Sequence, residues 1–508
     1  RLPALAKEIN AECVVCLTAT ATPKVARDIC NAFDIVPKNG LVRTGSFRPN
    51  LRIFVRPVTL MSRNSVLISI LKSGSGPAIV YCTTQKGTER VARMLREEGL
   101  NAFAYHAGLS PQERQRVQSE FMDAPDMVIA ATIAFGMGVD KPDIRRVIHY
   151  NISKSIESYS QEIGRAGRDG EPADCTLLLC PDDLHILETV IHAEIPSPDS
   201  VAKLLKELFG QGGRAGQIIN YRAYQQRREH DLENKAFTHI VLELEKAEII
   251  RELPTVFEEY LIWPRPGLSP GGLAGDRLGF AILACSSPRS RYWLLDVRLA
   301  AKRAQVQPNQ IIAHLSEMLA AKQLLGASPR NPLHRFQLLR DCPTPDETAA
   351  IAIQAARAVS DREEQELDRL DLIVRWATRP DCLHRGLAEH FGDAREVPKA
   401  GCGACGYCLT GRAATMSPAA ARPAVDEDRI KRVLRAVSVR DDPVLLARVA
   451  CGNMSPRIEN RGLYRLNEFG LMNDHKFLTL VQRFRVECPA ATVLAPREEA
   501  GRRRGALA

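Results

Sequence analysis

The stretch Met127-Val128-Ile129-Ala130-Ala131-Thr132-Ile133-Ala134-Phe135-Gly136-Met137-Gly138-Val139-Asp140-Lys141-Pro142 decides the fold of the N-terminal third. Its first four residues are a short apolar run, the pattern of a strand buried on both faces. A loop follows in which Gly136 and Gly138 allow a ligand close to the backbone and Asp140 offers an acceptor for a sugar hydroxyl. Outward from it the same rhythm repeats. Apolar runs at 13–17, 78–82, 147–150 and 175–179 read as further strands, and 85–98 (Val91, Met94, Leu95) and 110–122 (Val117, Phe121) carry helical spacing. Strand and helix alternating at this pitch predict βα units on a parallel sheet. Ligands of such sheets bind beyond the carboxyl ends of the strands, so the loops after strands carry the chemistry.

Two more loops stand out. Thr18-Ala19-Thr20-Ala21-Thr22-Pro23 follows the run at 13–17, with Pro23 placed to open a helix. Tyr159–Gly170 ends in Gly164-Arg165-Ala166-Gly167-Arg168-Asp169-Gly170. Two arginines three apart read by themselves as a solvated face. In a Gly-rich turn, on one sheet with the other two loops, they suit the oxygens of a phosphoryl group in transfer.

The 508 residues make room for about three domains. With 45% hydrophobic and 25% charged residues the composition is that of globular proteins, which excludes whole-chain disorder and a fibrous repeat. No apolar run is long enough to span a bilayer. The net charge of +9 permits a polyanionic partner without requiring one. Fourteen cysteines are too few for a disulfide scaffold, and Cys82, Cys175 and Cys180 lie in apolar runs where a thiol serves as a small hydrophobe. Cys13 and Cys16 read the same way, as core residues of the first strand.

Cys382, Cys402, Cys405 and Cys408 differ. Three of them are spaced by two residues, with Gly401, Gly403 and Gly406 beside or between them. Such a backbone wraps tightly enough to converge thiolates on one tetrahedral ion, and Zn²⁺ is the expected metal. His384 and His390 are alternative ligands, although both read better as solvated surface histidines.

From about 196 the βα rhythm stops. Residues 230–247 read as a helix followed by short strands at 248–253 and 256–263 around Pro254-Thr255. A similar order recurs at 309–321, 323–325 and 336–339. Helix-then-hairpin suits a winged helix as well as an ordinary α+β linker domain. Pro264–Gly275 reads as a loop, with Trp263 and Arg265 as contact residues.

Thr18–Pro23, Ser46-Phe47-Arg48-Pro49-Asn50-Leu51, Tyr105-His106-Ala107-Gly108-Leu109-Ser110, Ala131–Pro142 and Gln161–Gly170 resemble, in order, the later motifs of RecQ-family DNA helicases. The four cysteines are similar to that family's structural zinc site. The resemblance implies a fold class of α/β type: a RecA-like parallel-sheet helicase lobe, winged-helix-like α+β segments, a four-cysteine zinc platform and a small helical C-terminal region. It implies that 1–50 end a first lobe, 51–185 form the second and 346–412 hold the helical scaffold and zinc; by pattern and composition 196–345 are winged-helix-like, 424–490 form a helical domain and 491–508 a disordered tail. About 210 residues separate Gly170 from Cys382, an interval more similar to the Rothmund–Thomson-type subfamily.

By the same resemblance Arg168, Arg165 and Gln161 reach the phosphates of ATP, with Arg168 as arginine finger, and Asp140, Gly138 and Gly164 bind the nucleotide. Thr132, His106 and Thr20 contact nucleic acid, and Thr18–Thr20 couple nucleotide state to lobe movement. The implied activity is 3′→5′ DNA unwinding in repair, recombination and replication, nuclear in a eukaryote, on single strands and duplex junctions. The implied cofactors are ATP with Mg²⁺, and Zn²⁺; no membrane is expected, and protein partners stay unknown. No G-x-x-x-x-G-K-[ST] and no strand-borne Asp-Glu-x-His occurs. These are expected upstream of Arg1, so the chain reads as a fragment that does not hydrolyse ATP unaided. A non-enzymatic nucleic-acid-binding or strand-annealing product is the alternative. The 46–51 element and the cysteines disfavour a DEAD-box-like RNA helicase.

Overall fold

The computed structural model describes residues 2–136, 139–222, 229–265, 276–290, 292–417 and 422–488. They form two compact units, Arg1–Ile191 with Glu364–Ala421, and His192–Glu363 with Arg422–Ala508. Among the described residues no helix is long and apolar enough to cross a membrane.

The first unit is built on six parallel strands: β1 (Leu51–Pro57), β2 (Ala78–Tyr81), β3 (Ala102–Tyr105), β4 (Val128–Ala131), β5 (Arg146–His149) and β6 (Ala173–Leu179). Their order is β1-β6-β5-β2-β4-β3, in register from Leu51 against Ala173 to Ala102 against Val128. Alternate side chains enter separate cores. Ile79, Tyr81, Ile129 and Val147 face Tyr159, Ile163, Trp376 and Leu387, whereas Ala78, Val80, Val128 and Ile148 face Leu67, Leu71, Val91 and Leu95. Burial on both faces explains the unbroken apolar runs. Each large aliphatic side chain so removed from water contributes about 1.5–3 kcal/mol. Three of the helices that follow strands start on hydroxyl caps, Thr84, Ser110 and Ser155, each accepting from a backbone N–H in the first turn.

Within residues 1–50 one expectation fails and another holds. Thr22 caps a helix Pro23–Ala32 as Pro23 predicts, but 13–17 is not a strand. Cys13 is exposed, Cys16 half-buried, and Leu17 is 90% exposed. A parallel strand needs a neighbour to pair its N–H and C=O groups, and the six-stranded sheet pairs β1, not this run, at its edge.

The second unit carries an antiparallel sheet of β7 (Ile218–Tyr221), β8 (Ile250–Pro264), β9 (Ser286–Pro288), β10 (Trp293–Asp296) and β11 (Leu324–Leu338), ordered β7-β11-β8-β10-β9. Helix Asn234–Lys246 precedes β8 and helix Pro308–Ala320 precedes β11, the expected order. The expected short hairpins are absent. The two 15-residue strands pair with each other along their length. Pro254 and Thr255 lie where the register steps from Val256–Leu333 to Leu253–Arg335, so two residues of β8 oppose one of β11. A β-bulge is where a strand tolerates a missing N–H, so the proline does not end the strand. Helices Glu427–Ala436, Pro443–Cys451 and Phe477–Arg485 close a core through Ile430, Val433, Leu446, Val449, Leu480 and Phe484. Of the expected contact loop Pro264–Gly275, Pro264 instead ends β8, and residues 266–275, like the tail 491–508, lie outside the described residues.

Candidate functional site

Helix Ile156–Ile163 ends at Gly164, and the turn 164–171 leads into β6. Gly167 sits at φ +52°, and a Cβ there would lie 2.6 Å from Asn50 Nδ2 and 2.7 Å from the Glu171 carbonyl, so only glycine fits. Its N–H donates to the Ile144 carbonyl at 2.9 Å, and that of Asp169 to Pro142 at 3.2 Å. The turn is thereby laced to the end of the 131–142 loop.

This lacing brings most of the expected nucleotide residues together. Arg168 Nη1 donates to Asp140 Oδ1 at 2.5 Å, with Asp140 85% exposed. Arg165 points inward: it donates to the Gly136 carbonyl, and a Cβ on Gly136 would lie 2.4 Å from its guanidinium. Tyr81 completes the latch by donating to the Phe135 carbonyl at 3.1 Å. Gln161 is exposed on the helix preceding the turn. Gly138 lies outside the described residues.

Of the expected nucleic-acid residues, Thr132 and His106 lie side by side at the carboxyl ends of β4 and β3, where the Thr132 N–H donates to the Tyr105 carbonyl at 3.1 Å, whereas Thr20 lies in the N-terminal segment. Thr132 directly follows β4, half-buried, and its hydroxyl accepts from the Ala134 N–H at 3.4 Å. His106 follows β3 and is buried, its Nε2 facing Glu89 at 3.2 Å, so that loop exposes Ala107 and Gly108 instead. Thr20 precedes helix Pro23–Ala32, and its N–H donates to Thr18 Oγ1 at 3.3 Å.

The structure adds residues to which sequence reasoning gave no individual role. Arg48 and Asn50 both reach the 164–171 turn. Buried Glu162 accepts from Ser153 Oγ at 3.2 Å and pairs with His149 Nε2 at 2.7 Å. Rings of Tyr81, His149, Tyr159 and Trp376 then follow in series, the first pair stacked and the next two tilted, with centroids 5.4, 4.7 and 4.7 Å apart. His149, a polar residue within an apolar run, was the available signal.

The four cysteines converge. Cys382 opens helix Leu383–Phe391, Cys402 and Cys405 lie in a glycine-rich loop, and Cys408 is on the short helix Gly406–Thr410. All four sulfurs lie within 4.8 Å of one another, and those of Cys402 and Cys408 are 3.9 Å apart. A tetrahedral zinc thiolate with arms of about 2.3 Å has edges of about 3.8 Å, so the set fits the metal. The N–H groups of Cys402 and Cys405 donate to sulfur at 3.3 and 3.2 Å. Hydrogen bonding from Cys402 lowers the Cys405 thiol to about 4, while giving that bond and burial push Cys402 up. Four sulfurs converging at these distances, two of them accepting backbone N–H groups, suit a soft cation.

Neither nearby histidine is a solvated residue. His384 is buried, desolvation lowers the pKa of its imidazole, and its Nε2 donates to the Leu51 carbonyl at 2.9 Å. His390 Nε2 pairs with Glu157 at 2.7 Å. Trp376 Nε1 donates to the Leu383 carbonyl at 3.0 Å, and a Cβ on Gly406 would sit 3.6 Å from Phe54. The metal-binding segment thus packs onto edge strand β1.

Two family models match in this unit and its flanks: helicase conserved C-terminal domain over residues 62–170 and RecQ zinc-binding over 347–409. The chain is similar to ATP-dependent DNA helicase Q-like 5 of Arabidopsis thaliana, 27% identical over 379 residues, covering 73% of this chain and 41% of that protein. It is 41% identical to rat ATP-dependent DNA helicase Q5 over 206 residues, 38% of this chain and 21% of that protein. To human ATP-dependent DNA helicase Q4 it is 35% identical over 227 residues, 40% of this chain and 18% of that protein. The chain therefore spans less than half the length of these relatives.

Proposed function

We propose that this chain belongs to the RecQ family of helicases and supplies the nucleotide-closing lobe, zinc platform and flanking DNA-contact segments of an ATP-dependent 3′→5′ DNA helicase. The observation that carries this reading is the laced turn 164–171, which holds Arg168 beside Asp140 at the carboxyl end of a parallel sheet. A guanidinium in that position stabilises charge on a phosphoryl group in transfer. Arg168 acts as the finger. Asp140 exchanges its arginine partner for a ribose hydroxyl when nucleotide enters, and Gln161 orients the phosphates. Arg165, committed to Gly136, sets the position of the 131–142 loop rather than leaving it to reach ATP.

Thr132 and Thr20, with the backbone at Ala107 and Gly108, track the phosphates of single-stranded DNA beside duplex junctions, contacts that read no base edge. No G-x-x-x-x-G-K-[ST] cradle occurs in the 508 residues, and on this reading they supply the closing arginine and do not by themselves turn over ATP. Zn²⁺ bound by the four cysteines is structural. The long interval between Gly170 and Cys382 supports the Rothmund–Thomson-type subfamily, and the work of the whole protein lies in DNA repair, recombination and replication, in the nucleus of a eukaryote. The absence of a P-loop from these residues also favours a second reading, a strand-annealing product without turnover.

In the full-length protein Arg168→Ala abolishes DNA-stimulated ATP turnover while DNA affinity stays within a few-fold. Unchanged turnover refutes the finger assignment. Annealing of complementary strands by these 508 residues, without ATP, would support the second reading.

A further inference from the structure

The turn 164–171 is held from two sides. Its N–H groups at Gly167 and Asp169 are taken by the carbonyls of Ile144 and Pro142. On its C=O side stand two side chains from the 46–51 element. Arg48 Nη1 donates to the Gly164 carbonyl at 3.4 Å, and its Nη2 donates to Ala166 at 3.2 Å and to Gly167. Asn50 Nδ2 donates to the carbonyls of Gly167 at 2.8 Å and Glu171 at 2.9 Å. We propose that Arg48 and Asn50 are positioning residues for the arginine-bearing turn, fixing the peptide planes from which Arg165 and Arg168 project without themselves touching nucleotide.

The chemistry explains the residue types. The carbonyls at and just beyond a helix C-terminus lack intrahelical partners and carry the negative end of the helix dipole. A planar guanidinium offers several donors in a fixed fork, so one side chain spans three carbonyls, whereas an ammonium is a point charge on a flexible stem. Asn50 contributes an amide whose two hydrogens match two carbonyl oxygens on opposite sides of the turn. The element is itself held at its flanks. His384 meets Phe47 edge-on at 5.2 Å between ring centroids and donates to the Leu51 carbonyl. Arg48 and Asn50 lie between those two points, so the helix that follows Cys382 anchors the side chains that aim the arginines.

The catalytic consequence rests on the reading of this turn as a nucleotide contact. The test uses the full-length protein with Asn50→Asp, which sets a carboxylate against two carbonyl oxygens, and Arg48→Lys, which keeps the charge and loses the fork. Arg168→Ala serves as reference. Hydrogen–deuterium exchange across 164–171 is expected to quicken at least tenfold in both variants, with β5 and β6 unchanged. kcat for DNA-stimulated ATP hydrolysis is expected to fall at least tenfold while KM for ATP stays within threefold. Unchanged exchange in the half-exposed Asn50→Asp variant overturns the proposal even if Arg48→Lys fails to fold. So does a kcat within twofold of the parent when Arg168→Ala abolishes turnover. Quickened exchange with an Arg168→Ala protein that still turns over leaves the positioning role standing and removes the nucleotide reading instead.

Discussion

Gly401 and Gly403 both lie in the cysteine loop at positive φ, +97° and +70°, but only one of them is crowded. A Cβ on Gly401 would sit 2.7 Å from Cys408 Sγ, whereas one on Gly403 would meet nothing within 4 Å. Gly403→Ala therefore carries only the backbone term, about 1–2 kcal/mol for an L-residue in the left-handed region. Gly401→Ala carries that term, a further penalty because +97° lies beyond the left-handed well, and displacement of a sulfur from its tetrahedral corner. A total of about 3–4 kcal/mol is expected. At 1.4 kcal/mol per factor of ten, zinc should be held roughly tenfold more weakly in Gly403→Ala and more than a hundredfold more weakly in Gly401→Ala. Competition against a chromogenic zinc chelator, on purified variants of equal initial zinc content, reads both. Equal retention by the two variants would refute the claim that the Gly401 position is reserved by the Cys408 sulfur.

Cys405→Ala should lose zinc and solubility, because metal binding and folding of this segment are coupled; one zinc per chain by elemental analysis would contradict the ligand set. The Glu157 carboxyl is held down at about 2, from 4.5, chiefly by its hydrogen bond from His390. A depressed carboxyl contributes stability that is fully present above its unfolded value and lost as pH falls through the folded one. The stability difference between the parent and Glu157→Gln should thus be about 1–2 kcal/mol at pH 6, discounted for partial exposure, and vanish between about pH 4.5 and 2. Denaturant titrations across that range check it, and a difference that persists at pH 2 would sink it.

The parallel sheet is legible because its strands are buried on both faces, which makes each a continuous apolar run such as Ala78–Tyr81. The same criterion misleads at 13–17, since apolarity marks a wish for burial and not the presence of a neighbour to pair with. It also cuts β8 and β11 short. Pro254 and Gly326 look like terminators in sequence, and only the pairing of two distant strands reveals the bulges that absorb them. The metal ligands were legible because thiols at this spacing have few other uses. His384 was not, because a buried imidazole on a backbone carbonyl has no spacing signature. The same holds for Arg165 and Arg168. Sequence places them three apart, but not that one latches inward to Gly136 while the other faces Asp140. That division depends on how the 131–142 loop folds back, a tertiary fact.

The first unit is discontinuous in the chain. Its sheet is complete by Leu179, yet Trp376, Leu383 and the cysteines that cover β1 return only after the 172 residues from His192 to Glu363. During synthesis at about 5–20 residues per second, that interval leaves the edge of β1 bare for roughly 10–35 s. An uncovered edge of a finished sheet is a template for another strand. The nascent chain therefore passes through a window in which its most ordered part is also its stickiest. Escape from that window is timed by the ribosome, and zinc uptake can only follow it.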